Sequence, residues 1–269
     1  MGPLPHTSAS GSVAALPADQ TYSTYIAEGL RDGFQIGFNH GSPQLKSRKI
    51  NHPSCHSSPE VVSERISAEV SAGRLLGPTA PELIPMVHLS PMGRVPKPHQ
   101  PNKFRLIVDL SSPEKRSVND GIPSELCSLK YASVDDAVAL IQTLGRGTRL
   151  VKIDLKDAYC MVPVHPDDYH LLGVSWKGHT FVDRALPFGL CSAPKIFNAV
   201  ADFIAWVLHR HGVAHQLHYL DDFLFLGAPY SNEAATALET VLRVLRMLGI
   251  PVAVHKTEVL QPHSSSLES

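Results

Sequence analysis

The sequence predicts an α+β domain with helices on one face of a mainly antiparallel sheet. Three observations carry that expectation. Strand-like segments recur as KFRLIVDL, RLVKIDL, LLGVSW, TFVDR, LHYL and FLFL. Two pairs of them invite hairpins, one around Lys177-Gly178 and one around Asp221-Asp222. From about residue 130 onward these segments alternate with amphipathic helices, and no repeat of 20 to 50 residues suggests a solenoid instead.

Taken in order, residues 1–57 are rich in Ser, Pro, Gly and His without periodicity and read as a loop-rich or partly disordered segment. Its HPSCH cluster offers His52, Cys55 and His56 but no matching second half, so a plain loop is preferred to a zinc site. The first helix follows Ser58 as cap and Pro59 at its first position, with Val62, Ile66 and Val70 on one face and Gly73 or Gly77 at its end. A second spans Ser133 to Leu144, where Ser133 and Asp136 suit a capping box and Gly145 a stop. A third carries Ile196, Val200, Phe203, Ile204 and Val207 as its apolar stripe and ends near Gly212. In the fourth, Asn232 to Leu248, the inner side is expected at Leu238, Leu242, Leu245 and Leu248.

Composition sets limits on function. The chain has 269 residues, a net charge of −1 and 18% charged residues, so global charge does not attract it to nucleic acid or anionic membrane. Any such binding must come from a local patch. Nowhere do about 18 apolar residues run together, so no membrane partner is expected. Cys55, Cys127, Cys160 and Cys191 are widely spaced and read as reduced thiols of an intracellular protein.

The chemistry concentrates in carboxylates. In HYLDDFLFL the pair Asp221-Asp222 is the polar point of an apolar hairpin. An Asp-Asp pair is ordinarily a solvated turn, but adjacent carboxylates repel and call for a cation when the flanking strands are buried. In VKIDLKDAY, Val151, Ile153 and Leu155 alternate with Lys152, Asp154 and Lys156, which places Asp154 on the face opposite the packed one. If the two segments are neighbours, three hard oxygen donors meet, a set that favours Mg²⁺. Two such ions about 3.5–4 Å apart would serve in-line phosphoryl transfer. The stretch from Arg94 to Arg116 adds six Lys or Arg against Asp109 and Glu114, a local +4 suited to phosphates.

The ordered set KFRLIVDLS, VKIDLKDAY, LPFGLCSAPKIFN, YLDD and LGIPVAVHKTEV resembles the fingers and palm of a reverse transcriptase. The upstream stretches GFQIGFNHG, GRLLGP, SPMGRVPKP and SVNDGIP are most similar to retrotransposons of the DIRS type. The resemblance covers about residues 28–258. It implies a right-hand polymerase fragment with fingers over 58–130 and an RRM-like palm over 131–258 with finger elements near 160–190; where the family continues into a thumb and RNase H, this sequence departs from the pattern and an unstructured tail over 259–269 is expected. Asp154, Asp221 and Asp222 would be the catalytic metal ligands, joined by the Leu155 carbonyl, with two Mg²⁺ ions or Mn²⁺ in their place. Lys97, Lys103 and Arg105 would hold the triphosphate, and Asp157 and Ala158 would line its site. Tyr159 falls at the steric gate against a 2′-hydroxyl. Phe188 and Gly189 would pack on nucleotide and template, with Ala193, Pro194 and Phe197 behind them. Lys256 matches a lysine that protonates pyrophosphate. Core aromatics at Tyr159 and Phe188, a turn at Gly189 and a surface lysine at Lys256 are the alternatives.

The expected function is RNA-directed DNA synthesis on an RNA or DNA template with primer, consuming deoxynucleoside triphosphates, within the rest of a retroelement polyprotein. A truncated, non-catalytic relic that only binds nucleic acid is the rival. An RNA-dependent RNA polymerase is a third reading, which the bulk of Tyr159 disfavours.

Overall fold

The computed structural model describes residues 20–41, 45–47, 50–79, 87–96 and 104–260. In chain order the elements are α1 (Gln20–Asp32), α2 (Pro53–His56), α3 (Pro59–Ser71), β1 (Leu75–Thr79), β2 (Met92–Pro96), β3 (Phe104–Val108), α4 (Val134–Leu144), β4 (Arg149–Asp154), β5 (Gly173–Trp176), β6 (His179–Asp183), α5 (Ala193–Arg210), β7 (Gln216–Tyr219), β8 (Asp222–Gly227), α6 (Glu233–Met247) and β9 (Glu258–Leu260). They divide into two compact units. One comprises Met1–Ile26, Lys130–Ala158 and Phe197–Ser269, the other Ala27–Leu129 and Tyr159–Ile196. Among the described residues no helix is long and apolar enough to cross a membrane.

The first unit is built on an antiparallel sheet of order β7-β8-β4-β9. In β4, Val151 and Ile153 are buried while Lys152 and Asp154 are half-buried, the period of two that the sequence pattern predicts. Phe223 and Phe225 of β8 are buried on the same principle. Helix α6 packs against β8 and β4. Its inner face is Ala234, Val241, Val244 and Leu245, so of the expected leucine row Leu245 alone is fully buried. Leu238 and Leu242 are half-buried, and Leu248 is exposed because the helix stops before it, at Met247. Helix α4 starts with the expected capping box, Ser133 Oγ accepting from the Asp136 amide and Asp136 accepting from the Ser133 amide. Helix α5 fastens to β7 through Gln216, whose side-chain amide donates to the Ala205 and Val213 carbonyls at 2.9 and 3.0 Å.

The loop-rich reading of residues 1–57 needs correction over α1 and α2. Helix α1 has a short periodic stripe, Tyr22 and Ile26, and both are buried. The Tyr22 hydroxyl donates to the Ala199 carbonyl at 2.7 Å, a contact across 177 residues that no local pattern announces.

In the second unit β1, β6 and β5 form one antiparallel sheet, and β2 and β3 form a two-stranded one. Cys55, Val62, Ile66, Leu75, Met92, Val174, Trp176 and Phe181 make its core. The Trp176 indole N–H is satisfied by Ser63 Oγ at 2.9 Å. Lys177 and Gly178 both take positive φ, 47° and 79°, as a two-residue turn matched to strand twist requires. Ser58 does not cap α3 with its side chain. Its hydroxyl donates to the Ser57 carbonyl instead. Cys127 and Cys191 are bonded, with Cα atoms 4.8 Å apart, which corrects the reduced-thiol reading for these two; Cys55 is buried and keeps its thiol, which donates to the Met92 carbonyl. Their 64-residue separation hid the pairing.

At the end of β6, burial and the neighbouring Glu69 push the Asp183 carboxyl up to about 8. Glu69 is itself paired with Arg65 and Arg74. An unfolded aspartate loses its proton near 3.8, so the stability that protonated Asp183 contributes is complete below that pH and lost as pH rises to about 8. Asp183→Asn should therefore raise stability at pH 8 by on the order of 1–3 kcal/mol, with the gain shrinking toward pH 5. Thermal denaturation across that range checks it.

Candidate active site

The site begins with a register. Strands β4 and β8 pair so that Val151 faces Phe225, Ile153 faces Phe223 and Asp154 faces Asp222. Apolar pairs thus fix the position at which two acids meet. Strand β7 pairs Tyr219 with Asp222, leaving Leu220 and Asp221 as the hairpin turn. The turn therefore sits one residue earlier than the sequence suggests, with Asp222 already in the strand. Leu220 takes a φ of 53°, a left-handed conformation that lets the chain reverse in so few residues.

Backbone bonds hold Asp154 and Leu155 from both sides. The Leu155 amide donates to the Asp221 carbonyl at 2.9 Å. The Ala253 amide donates to the Asp154 carbonyl and the Lys156 amide to the Pro251 carbonyl, each at 2.9 Å. These bonds also deliver Lys256, whose Nζ donates to Asp154 Oδ2 at 2.7 Å. Lys152 reaches across the sheet to Asp222 Oδ1 at 3.1 Å. Burial raises the proton affinity of Asp221, the charges of Asp154 and Asp222 add to it, and Lys256 opposes it. Behind the turn, His218 on β7 pairs with Asp202 on α5 at 2.9 Å and stacks on Phe223 with ring centroids 5.1 Å apart. Tyr219 lies 4.7 Å from the Tyr131 ring and is half-exposed.

Asp154, Leu155, Asp221, Asp222 and Lys256 are thus brought together. Asp157 is exposed with a φ of 55°, and Ala158 is buried. In the second unit, Tyr159 meets Phe188 edge-on at 5.4 Å and 80°. The Phe188 carbonyl accepts from the Val108 amide at 3.4 Å, and Gly189 accepts from the Asn119 side chain at 2.9 Å. The PFG stretch therefore lies along β3, the strand that presents Arg105 to solvent. Lys97 and Lys103 lie outside the described residues. Arg94, counted in the basic stretch, sits 3.9 Å over the Phe104 ring.

Among the described residues no group of three or more His, Cys, Asp or Glu side chains is placed to hold a metal ion. The donor chemistry nevertheless suits a hard divalent ion. The acids are oxygen donors at one sheet end, and Asp222 Oδ1 is buried, with the Lys152 ammonium 3.1 Å away. Sequence reasoning missed Lys152 as a partner of this site. The available signal was its place two residues before Asp154, on the same strand face. Nothing in the sequence signalled His218 with Asp202.

The family model described as "Reverse transcriptase (RNA-dependent DNA polymerase)" matches residues 95–267. The chain belongs to that reverse transcriptase family. It is 32% identical over 123 residues to the Gag-Pro-Pol polyprotein of squirrel monkey retrovirus, covering 42% of this chain and 6% of that polyprotein. With the retrovirus-related Pol polyprotein from transposon opus of Drosophila melanogaster it shares 25% over 174 residues, 64% of this chain and 16% of the relative. The reverse transcriptase fold extends further: the foamy viral protease-reverse transcriptase in complex with RNA/DNA hybrid superposes with a TM-score of 0.62 at 20% identity, over 92% of this chain and 32% of that one. This family member spans a small part of the curated relatives it matches.

Gly189 has a φ of +108°, and a Cβ there would lie 2.2 Å from the Val108 carbonyl oxygen. Gly189→Ala should cost at least about 1–3 kcal/mol of stability. A urea midpoint equal to that of the wild type would remove the close approach from the account.

Proposed function

We propose that this chain is an RNA-directed DNA polymerase that adds deoxynucleotides to a primer 3′-hydroxyl. The observation that carries the reading is the register that sets Asp154 opposite Asp222, with Asp221 in the adjoining turn. Family membership supplies the reaction class, and a structural neighbour that binds RNA/DNA hybrid supports a template-primer as partner. Grip on that partner would run through phosphates, with little sequence preference. The upstream stretches quoted above support a retroelement of the DIRS type. The first unit contains residues 130–158 and 197–269, which supports a palm over 131–258 with finger elements near 160–190.

Asp154, Asp221 and Asp222 would hold Mg²⁺, with the Leu155 carbonyl beside them. Bound there, two ions supply charge neutralisation for in-line displacement of pyrophosphate by the primer hydroxyl. The protein's own part is positioning. Leu155 and Asp221 are tied main chain to main chain, so the acids on the two strands keep one spacing. Lys256, which hydrogen-bonds Asp154, carries the proton to departing pyrophosphate. Arg105, with Lys97 and Lys103, grips the triphosphate. Asp157 and Ala158 line the nucleotide's site, and Phe188 and Gly189 pack against it. Tyr159, held edge-on by Phe188, presents the bulk that rejects a 2′-hydroxyl.

Primer extension on an RNA template with deoxynucleotides and Mg²⁺ tests the reading. Asp221→Asn should abolish extension and leave the fold intact by circular dichroism; activity in the folded variant would end the metal assignment. Tyr159→Ala should raise ribonucleotide incorporation relative to deoxynucleotide by roughly tenfold or more. An unchanged ratio would take the gate away from Tyr159.

A further inference from the structure

Three acids at one sheet end need counter-charge before any metal arrives, and β4 carries one source of it. Lys152 and Asp154 project from the same face of the strand, two residues apart. On the β8 side, Asp222 stands opposite Asp154 and so lies diagonal to Lys152, within reach of a long side chain. On the β9 side, Glu258 stands directly opposite Lys152. The ammonium group has settled on Asp222, 3.1 Å from Oδ1, an otherwise buried oxygen. Asp154 is served separately by Lys256 at 2.7 Å. Two ammonium groups thus face four carboxylates, Asp154, Asp221, Asp222 and Glu258.

The Lys152 main chain is fixed, because it lies between the buried Val151 and Ile153 and pairs with strands on both sides. Its head is not fixed. The side chain is 42% exposed and Asp222 40%, so the ammonium can swing into water on its four-carbon stem when another cation takes its place. A hydrophobic enclosure would forbid that exchange.

We propose that Lys152 is a positioning residue for the divalent-metal site: its ammonium group holds Asp222 in place until an ion binds, and its charge sets the affinity for that ion. The inference rests on the reading of Asp154, Asp221 and Asp222 as metal ligands. Lys152 competes with the metal for one carboxylate oxygen and lowers the negative potential that draws the ion in. The same charge stabilises the metal-free fold by relieving repulsion between acids.

The test uses the full chain without nucleic acid. Mn²⁺ binding is measured by calorimetry, and thermal denaturation is run in chelator and in saturating Mn²⁺. Lys152→Met should bind Mn²⁺ roughly fivefold to tenfold more tightly than the wild type. It should melt earlier than the wild type in chelator, and Mn²⁺ should close that gap. Lys152→Arg should restore wild-type behaviour in both, and Lys152→Gln provides the same test if the methionine variant does not fold. Unchanged or weaker Mn²⁺ binding by a folded, uncharged variant overturns the proposal. So does an equal loss of melting temperature with and without Mn²⁺, the mark of a merely structural contact. Asp221→Asn separates the two levels. Wild-type binding that this variant abolishes upholds the ligand reading whatever Lys152 does, whereas Mn²⁺ binding that is absent, or indifferent to Asp221, overturns both.

Discussion

Everything at the candidate active site depends on one pairing, Asp154 directly across from Asp222. Like charges opposite one another in an antiparallel ladder are unfavourable, so this register must be imposed from elsewhere. Val151 against Phe225 and Ile153 against Phe223 impose it. A slip of one residue would turn Val151 and Ile153 toward solvent and Lys152 and Asp154 toward the core, an exchange costing several kcal/mol by burial alone. The apolar pairs can therefore hold the acids together against their repulsion.

The repulsion that remains is met by charge and by hydrogen bonding. Lys256 and Lys152 each take one acid, and Asp221 responds to burial and to its neighbours with raised proton affinity. That is the electrostatic state of a site that gains from accepting a cation. The turn itself is rigid for a different reason. Leu220 is held at positive φ, the Asp221 carbonyl is tied to Leu155, and His218 anchors the adjacent strand to Asp202. A site that must hold acids at a fixed spacing benefits from having each of them on, or beside, a paired strand.

The second unit shows the same economy around Phe188 and Gly189. Gly189 permits a main-chain approach to β3 that any side chain would block, and this lays Phe188 beside Tyr159. Arg105 is exposed on that strand, opposite Val95 on β2. The basic stretch is not uniformly available for phosphates, since Arg94 is spent on the Phe104 ring.

Sequence by itself determined the elements whose signals are local. The alternation in VKIDL, the capping box at Ser133, the Lys177-Gly178 turn and the buried Ile196, Val200 and Ile204 of the α5 stripe each lie within a few residues, where backbone geometry and periodicity decide the outcome. It also supplied the reason for proposing Asp154, Asp221 and Asp222 as metal ligands, because acids set in apolar strands are costly without a cation. Tertiary structure alone decided the rest. Helix α1, the inner face of α6, the bond between Cys127 and Cys191 and the choice of Lys152 for Asp222 rest on partners far away in the chain, as Lys256 with Asp154 does across 102 residues. Such pairings follow from strand register and packing, which arise only when distant segments bury their apolar faces together, and a local pattern holds no record of the partner it will meet.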